Sequence, residues 1–311
     1  MATVKKIPVI LDTDPGTDID DSYAIAMLLK SPELDVKLIT TATADTAMRG
    51  DVTARLLKAA GRTDIPIAAG RTFRIENIAN HLKQYLEKTG TPRGNYPDAA
   101  QAIVDTVHAS PEPVTIICIA PLTNIADAVK LDPSIAPKVN IVAMSGSVYK
   151  NYKMEPQRCK EWNVFCDAES SEIVYNNQKW RSFSIIPLDT STDLFFSNTW
   201  MKDLESLNDP LLKECLESHL WWQSSIRSGI PGGVDHPAEE YPEKTSSLYD
   251  VAAVYLAYAN EAFVMEEKPM IVQDGIFVDR EDAPNRILAA VEWKDRPGFE
   301  QHFTERLKHK I

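Results

Sequence analysis

No run of eighteen or more apolar residues occurs in the 311-residue chain, so no transmembrane helix and no membrane partner are expected. The first apolar stretch, Ile7 to Leu11, ends at Asp12 after five residues. It is too short for the core of a signal peptide and reads as a buried strand. Cysteine is scarce. Cys118, Cys159, Cys166 and Cys215 show no CxxC spacing, and two of them sit in apolar or strand-like segments, which suggests reduced structural thiols in a cytoplasmic protein. Long basic clusters are missing as well. Net charge is −12, and Lys5-Lys6 and Lys308 to Lys310 are short enough to be solvated tails. A nucleic-acid partner, which needs a basic face, is therefore excluded. A neutral substrate, or a cation that gathers carboxylates, remains compatible with this charge.

What is present is a core. Hydrophobic residues make up 44% of the chain, enough for one large domain or two small ones. No internal repeat, low-complexity tract or composition break divides it, so a single domain over 1–311 is expected. Strand-like runs at 8–12, 36–42, 66–68, 114–119, 139–145 and 182–187 alternate with helix-like segments at 21–30, 49–60, 97–109, 122–130 and 168–177. Such alternation predicts an α/β fold: a mostly parallel, Rossmann-like central sheet with helices on both faces. Ligands of these sheets bind beyond the C-terminal strand ends. Five polar or Gly/Ser/Pro-bearing features fall there: 12–21, Ala44-Asp45, 119–124, 144–147 and Leu188-Asp189. Further on, 198–258 reads as helical around a Gly/Pro/acid-rich loop at 229–242. Strands then follow over 270–293, around Asp274-Gly275 and Ala283-Pro284, and a last helix spans 299–308.

The segment after the first strand carries Asp12, Asp14, Asp18, Asp20 and Asp21 around Pro15-Gly16. Carboxylates this close repel one another. One reading is an acidic surface turn in which Asp20 or Asp21 caps the following helix. The other is a cation site, and all-oxygen carboxylate ligands suit Ca²⁺ or Mg²⁺ better than Zn²⁺. Carboxylates on both sides of Pro15-Gly16, at the functional edge of a sheet, favour the cation. A haloacid-dehalogenase-type phosphatase also begins with a strand and Asp-x-Asp, but it wants Thr or Val where Gly16 stands.

Asp12-Thr13-Asp14-Pro15-Gly16 with Asp20-Asp21-Ser22-Tyr23-Ala24 resembles the N-terminal signature of nucleoside hydrolases, with two extra residues before the paired aspartates. Four more stretches are similar in the same order: 119–124, 144–147, Glu161-Trp162-Asn163 with Asp167-Ala168-Glu169, and Tyr249-Asp250. The resemblance covers essentially the whole chain. It implies a calcium-dependent hydrolase that cleaves the N-glycosidic bond of ribonucleosides to ribose and free base, with a place in purine or pyrimidine salvage, as a homodimer or homotetramer. Asp14, Asp21, Asp250 and the backbone carbonyl of Ile119 match the Ca²⁺ ligands, an ion that in the family holds the ribose 2′- and 3′-hydroxyls and the attacking water. Asp14 also matches the general base. Asp20, Glu161, Asn163 and the Met144 region match groups that hold the sugar. The chemistry is coherent. A divalent cation acidifies water, a carboxylate takes its proton, and an acidic pocket steadies the oxocarbenium-like sugar.

The base end departs from the pattern. Tyr249 stands where many members have histidine, so it is a candidate proton donor or only a packing residue; with a reference pKa near ~10, phenol is a weaker acid than imidazolium. A histidine-bearing loop expected near 73–96 is replaced by a longer, helix-like segment containing His81. Asp45 either contacts substrate or caps a helix. Trp162 and Trp221-Trp222 are candidate walls for the base, although tryptophans at helical positions usually belong to the core. Two alternatives to the ribonucleosidase therefore stand: a ribosyl hydrolase with an unusual aglycone, and a non-catalytic sugar- or nucleoside-binding homologue.

Overall fold

The apolar runs of the first two-thirds form the predicted strands: β1 (Ile7–Thr13), β2 (Leu34–Thr41), β3 (Ile67–Ala69), β4 (Val114–Cys118), β5 (Val139–Met144) and β6 (Ser182–Ile186). The computed structural model describes residues 5–74, 78, 80–229 and 234–311. Later strands are β7 (Phe263–Lys268), β8 (Met270–Gln273), β9 (Ile276–Asp279) and β10 (Ile287–Trp293). Among the described residues the main sheet has the order β3-β2-β1-β4-β5-β6-β10-β7, parallel except for β7 at one edge. Its first six strands follow the doubly wound 3-2-1-4-5-6 order. All five residues of β4 are buried, as expected for a strand covered on both faces.

The helices are α1 (Asp20–Leu29), α2 (Thr46–Ala59), α3 (Lys83–Lys88), α4 (Ala99–Ala109), α5 (Thr123–Leu131), α6 (Trp162–Cys166) and α7 (Ala168–Asn176). They continue with α8 (Leu188–Ser191), α9 (Asn198–Ser206), α10 (Pro210–Ser228), α11 (Val251–Leu256) and α12 (Arg296–Leu307). Among the described residues two large cores form, beside a small cluster of Ala44, Ile78 and Cys166. One packs α1, α2, α10, α11 and α12 on one face, around Tyr23, Met27, Leu56 and Phe299. The other packs α4, α5 and α7 on the opposite face, around Ile103, Ile125 and Val174. Among the described residues no helix is long and apolar enough to cross a membrane. All four cysteines are free thiols.

Several boundaries differ from the sequence reading, each for a local reason. α2 starts at Thr46, not at 49, because the Asp45 carboxylate accepts the Met48 amide at 3.1 Å and caps it. α12 starts at Arg296, not at 299, because Asp295 caps it and Pro297 fits the first turn. The helix-like reading of 73–96 holds only for the six residues of α3; Gly90, Pro92 and Gly94 break the stretch after it, and 75–77 and 79 lie outside the described residues. Part of the 229–242 loop, 230–233, lies outside them too. Asp274-Gly275 turns the β8–β9 hairpin with φ of 53° and 75°, the two left-handed positions of a type I′ turn.

The topology places the site. From β1 the chain winds outward to β2 on one side, while β4 begins the winding on the other. The crevice where the winding reverses opens at the C-terminal ends of β1 and β4, at Thr13 and Cys118.

Candidate active site

A cavity of about 350 Å³ opens at that crevice, a size suited to a small ligand. It is lined by Asp14, Asp20, Asp21, Ile119, Met144, Glu161, Asn163 and Asp250, and towards its mouth by Thr17, Asp18, Tyr152, Trp162 and Tyr249. We call the first group the floor and the second the rim.

The turn between β1 and α1 shapes the floor. Gly16 has φ +110°, and a Cβ there would collide with the Asn80 amide, so the turn requires glycine. Behind it the fully buried Arg49 of α2 donates to the carbonyls of Asp14 and Pro15 and to the Thr43 carbonyl at 2.7 Å. Its guanidinium also lies 3.7 Å from the Asp14 carboxylate. Asp21 is fixed by the Thr13 hydroxyl at 2.5 Å and the Asp14 amide at 2.9 Å. Asp250 arrives from the start of α11.

Asp20, Asp21 and Asp250 are buried and bring carboxylate oxygens within 4.8 Å of one another. Burial, then the neighbouring acids, push Asp20 and Asp250 well above the usual carboxylate range. Burial raises Asp21 as well, against the opposing bonds from Thr13 and the Asp14 amide. Asp14 is also pushed well up by burial, with Arg49 opposing and Asp21 adding to the shift. Crowded buried oxygens of this kind suit a hard divalent cation. The tightest trio contains Asp20; Asp14, expected from the resemblance among the ligands, stands beside it on the same floor.

Glu161 caps α6, accepting the amides of Gly146, Asn163 and Val164 at 2.9, 2.7 and 3.1 Å. Asn163 donates its Nδ2 to the Met144 carbonyl at 3.2 Å and, more loosely, to that of Ile119 at 3.4 Å. These bonds tie the ends of β4 and β5 together. Behind the floor, Asn124 donates to Asp12 at 2.7 Å, and Thr123 to Asp167 at 2.6 Å.

At the rim, Trp162 is 42% exposed, and its backbone amide donates to the Tyr152 hydroxyl at 2.8 Å. Tyr152 meets Tyr249 edge-on, with ring centroids 6.3 Å apart. Burial and the charges of Asp18 and Asp20 push the Tyr249 phenol up to about 12.

The comparisons with known proteins bear on this arrangement. Residues 9–300 match the family described as inosine-uridine preferring nucleoside hydrolase. The chain belongs to that family. A probable uridine nucleosidase 2 of Arabidopsis thaliana is 34% identical over 190 residues, 56% of this chain and 58% of that protein. The pyrimidine-specific ribonucleoside hydrolase RihA of Citrobacter koseri is 34% identical over 184 residues, 55% of this chain and 57% of its own. The matched stretch thus spans less than two-thirds of these relatives. A plant nucleoside hydrolase structure superposes with a TM-score of 0.78 at 24% identity, covering 98% of this chain and 99% of its own, and supports the fold.

In this member of the family, the residues singled out in the sequence separate into two sets. Asp14, Asp20, Asp21, Ile119, Met144, Glu161, Trp162, Asn163, Tyr249 and Asp250 meet on one cavity. Asp45 and Trp222 are not among its lining residues. Asp45 caps α2 and pairs with Arg93. Trp222 packs on the core and reaches the site indirectly, its indole N–H donating to the Thr17 carbonyl at 3.1 Å. Trp221 is buried against Tyr85. His81 bonds Ser225 at 2.7 Å and is not a lining residue. Sequence reasoning missed Thr17 and Tyr152. Tyr152 carries no motif, whereas the lengthened turn between Gly16 and the paired aspartates, which holds Thr17 and Asp18, was visible and could have flagged Thr17.

Proposed function

We propose that the protein hydrolyses the N-glycosidic bond of ribonucleosides with Ca²⁺, releasing ribose and free base. The observation that carries this reading is the gathering of Asp14, Asp20 and Asp21 with the distant Asp250 on one buried floor beneath an aromatic rim. Asp21, Asp250 and the Ile119 carbonyl, flanked by Asp14 and Asp20, would hold the ion. When bound, Ca²⁺ supplies positive charge that grips a vicinal diol and acidifies water. In the reaction the C1′–N bond breaks with its electron pair going to the base nitrogen. A water oxygen bonds C1′, and its proton passes to the Asp14 carboxylate. Arg49, 3.7 Å from the Asp14 carboxylate and bonded to its backbone carbonyl, holds that carboxylate on the floor where it can accept the proton. The floor carboxylates offset the positive charge that grows at C1′. Asn163, its Nδ2 committed to backbone carbonyls, offers Oδ1 to a sugar hydroxyl.

Tyr249 keeps its proton more firmly than an ordinary tyrosine. It serves the leaving base as a neutral hydrogen-bond donor, not as a full acid; the base nitrogen takes its proton from solvent, and Asp14 returns to solvent the one it accepted. That rim favours a second reading, in which the same floor cleaves ribosides with an unusual aglycone. Both readings rest on Asp14. The Asp14→Ala variant, with its fold checked by circular dichroism, should lose roughly 10²–10⁴-fold in turnover on uridine, inosine and nitrophenyl riboside alike. Near-normal rates would remove Asp14 as the base. Wild-type activity on the nitrophenyl riboside alone would favour the second reading.

A further inference from the structure

We infer that Asp18 selects the leaving base by accepting a hydrogen bond from a base N–H through its free carboxylate oxygen; the inference rests on the hydrolase reading above. Asp18 lies in the two-residue extension of the signature turn, and it lines the cavity. The turn around it is held at three points. Arg49 donates to the Thr17 hydroxyl at 2.8 Å, Trp222 to the Thr17 carbonyl at 3.1 Å, and the His81 amide to the Gly16 carbonyl at 2.8 Å. Asp18 itself receives two bonds, from the Ile19 amide at 2.7 Å and the Ser246 hydroxyl at 2.8 Å. Both fall on Oδ1. Oδ2 has no hydrogen-bond partner among the described residues, which leaves its lone pairs to the cavity.

The position is that of a base contact. Ser246, which anchors Asp18, precedes Tyr249 by three residues, and Asp18 and Tyr249 line the same cavity. Asp18 and Tyr249 therefore share one sector of the rim: an acceptor beside a donor. A carboxylate without its proton only accepts. It welcomes a ring N–H or an exocyclic amino group and repels a carbonyl or bare ring nitrogen through lone-pair opposition. The ligand class is thus a nucleobase with an N–H on the edge facing the rim, such as N3–H of uracil or N1–H of hypoxanthine. Because the tethers fix the carboxylate before substrate arrives, little ordering cost is left at binding.

The experiment compares kcat/KM for uridine with 3-methyluridine, and for inosine with 1-methylinosine. Nitrophenyl riboside, which has no base N–H, reports the integrity of the floor in the same preparation. Wild type with Ca²⁺ should prefer at least one parent base over its methylated form by about 10–100-fold, below the larger discrimination of fully buried polar sites. In Asp18→Asn the Oδ1 bonds can persist while the cavity-facing atom becomes a donor. That preference should fall to within about threefold of unity. A preference unchanged in Asp18→Asn, with the riboside still cleaved, would mean that the methyl group is excluded by shape and would overturn the inference. Wild type that cleaves the riboside but treats both methylated bases like their parents would overturn it too, leaving the hydrolase reading intact. Wild type that cleaves none of these substrates would overturn both.

Discussion

The floor and the rim of the cavity are built differently. Every floor group lies at or beside a strand end or a helix start and is buried, and two are tied by several bonds: Asp21 by Thr13 and a backbone amide, Glu161 by three amides. The rim draws Thr17-Asp18, Tyr152, Trp162 and Tyr249 from loops or helix starts that share no element, and it leaves Tyr152 and Trp162 partly exposed. Chemistry on the ribose needs charges held at fixed spacing, and strand ends supply that rigidity. Contact with the base needs shape and one or two polar groups, which loops can change without moving the floor. On this view, substitutions in the floor should act on all substrates alike and substitutions in the rim should act selectively.

Asp250 and Tyr249 are neighbours in the chain on opposite sides of that division, and they give the sharpest test. Removing Ca²⁺ with EGTA should abolish turnover on every substrate and lower the melting temperature, and adding Ca²⁺ should reverse both changes. At a hundredfold excess over Kd the stabilisation would be about 2.7 kcal/mol. Asp250→Asn should weaken Ca²⁺ binding measured by calorimetry and reduce turnover on nucleosides and nitrophenyl riboside together by about 100-fold or more. Full activity in EGTA would show that the floor works without a cation and end the contrast.

Tyr249→Phe should cost less and only selectively. Loss of one hydrogen bond, about 1–1.5 kcal/mol, gives roughly a tenfold fall in kcat/KM on natural nucleosides, with little change on nitrophenyl riboside. Equal losses on both substrates would move Tyr249 from the rim to the floor.

The same division marks what the sequence could reveal. Strand–helix alternation made the mostly parallel sheet legible, though not its strand order, because buried parallel strands must be short apolar runs between amphipathic helices. The floor was legible because its aspartates crowd into one short segment after β1, a pattern that is costly unless something gathers them. Asp250 and Asn163 became readable only through resemblance, since nothing local says which distant carboxylate or amide will close a cavity. The rim was read poorly. Tyr152 sits in a loop whose course depends on Asp189 accepting the Val148 and Tyr149 amides from the end of β6, a long-range constraint without a local signature. Trp222 occupies a helical position that could face core or cavity, and only the packing of α10 on α1 and α2 turns its indole N–H to the extension instead of the ligand. Asp45 shows the same ambiguity resolved towards the helix cap.

The smallest effect concerns what lies between the two regions. His219 of α10 is fully buried, one helical turn before Trp222, and its Nδ1 meets the hydroxyl of Tyr23, which extends from α1 below the floor, at 3.0 Å. Its Nε2 has no partner among the described residues. Burial holds the imidazole down at about 4. In the unfolded chain the same ring takes a proton near pH ~6.5. Between those values the unfolded state binds more protons than the folded one, so stability is fully present above about 6.5 and is lost as pH falls through about 4. The loss from this group should be on the order of 3 kcal/mol over that window. His219→Gln can still accept from Tyr23 and does not titrate. Urea unfolding of both proteins from pH 7.5 to 4, in saturating Ca²⁺, isolates the group as the difference between two curves. That difference should be constant above pH 6.5 and shift by a few kcal/mol in favour of the variant towards pH 4. Parallel curves throughout would show that the imidazole takes up its proton inside the protein as readily as in the unfolded chain, and that the contact between α1 and α10 tolerates a charged ring.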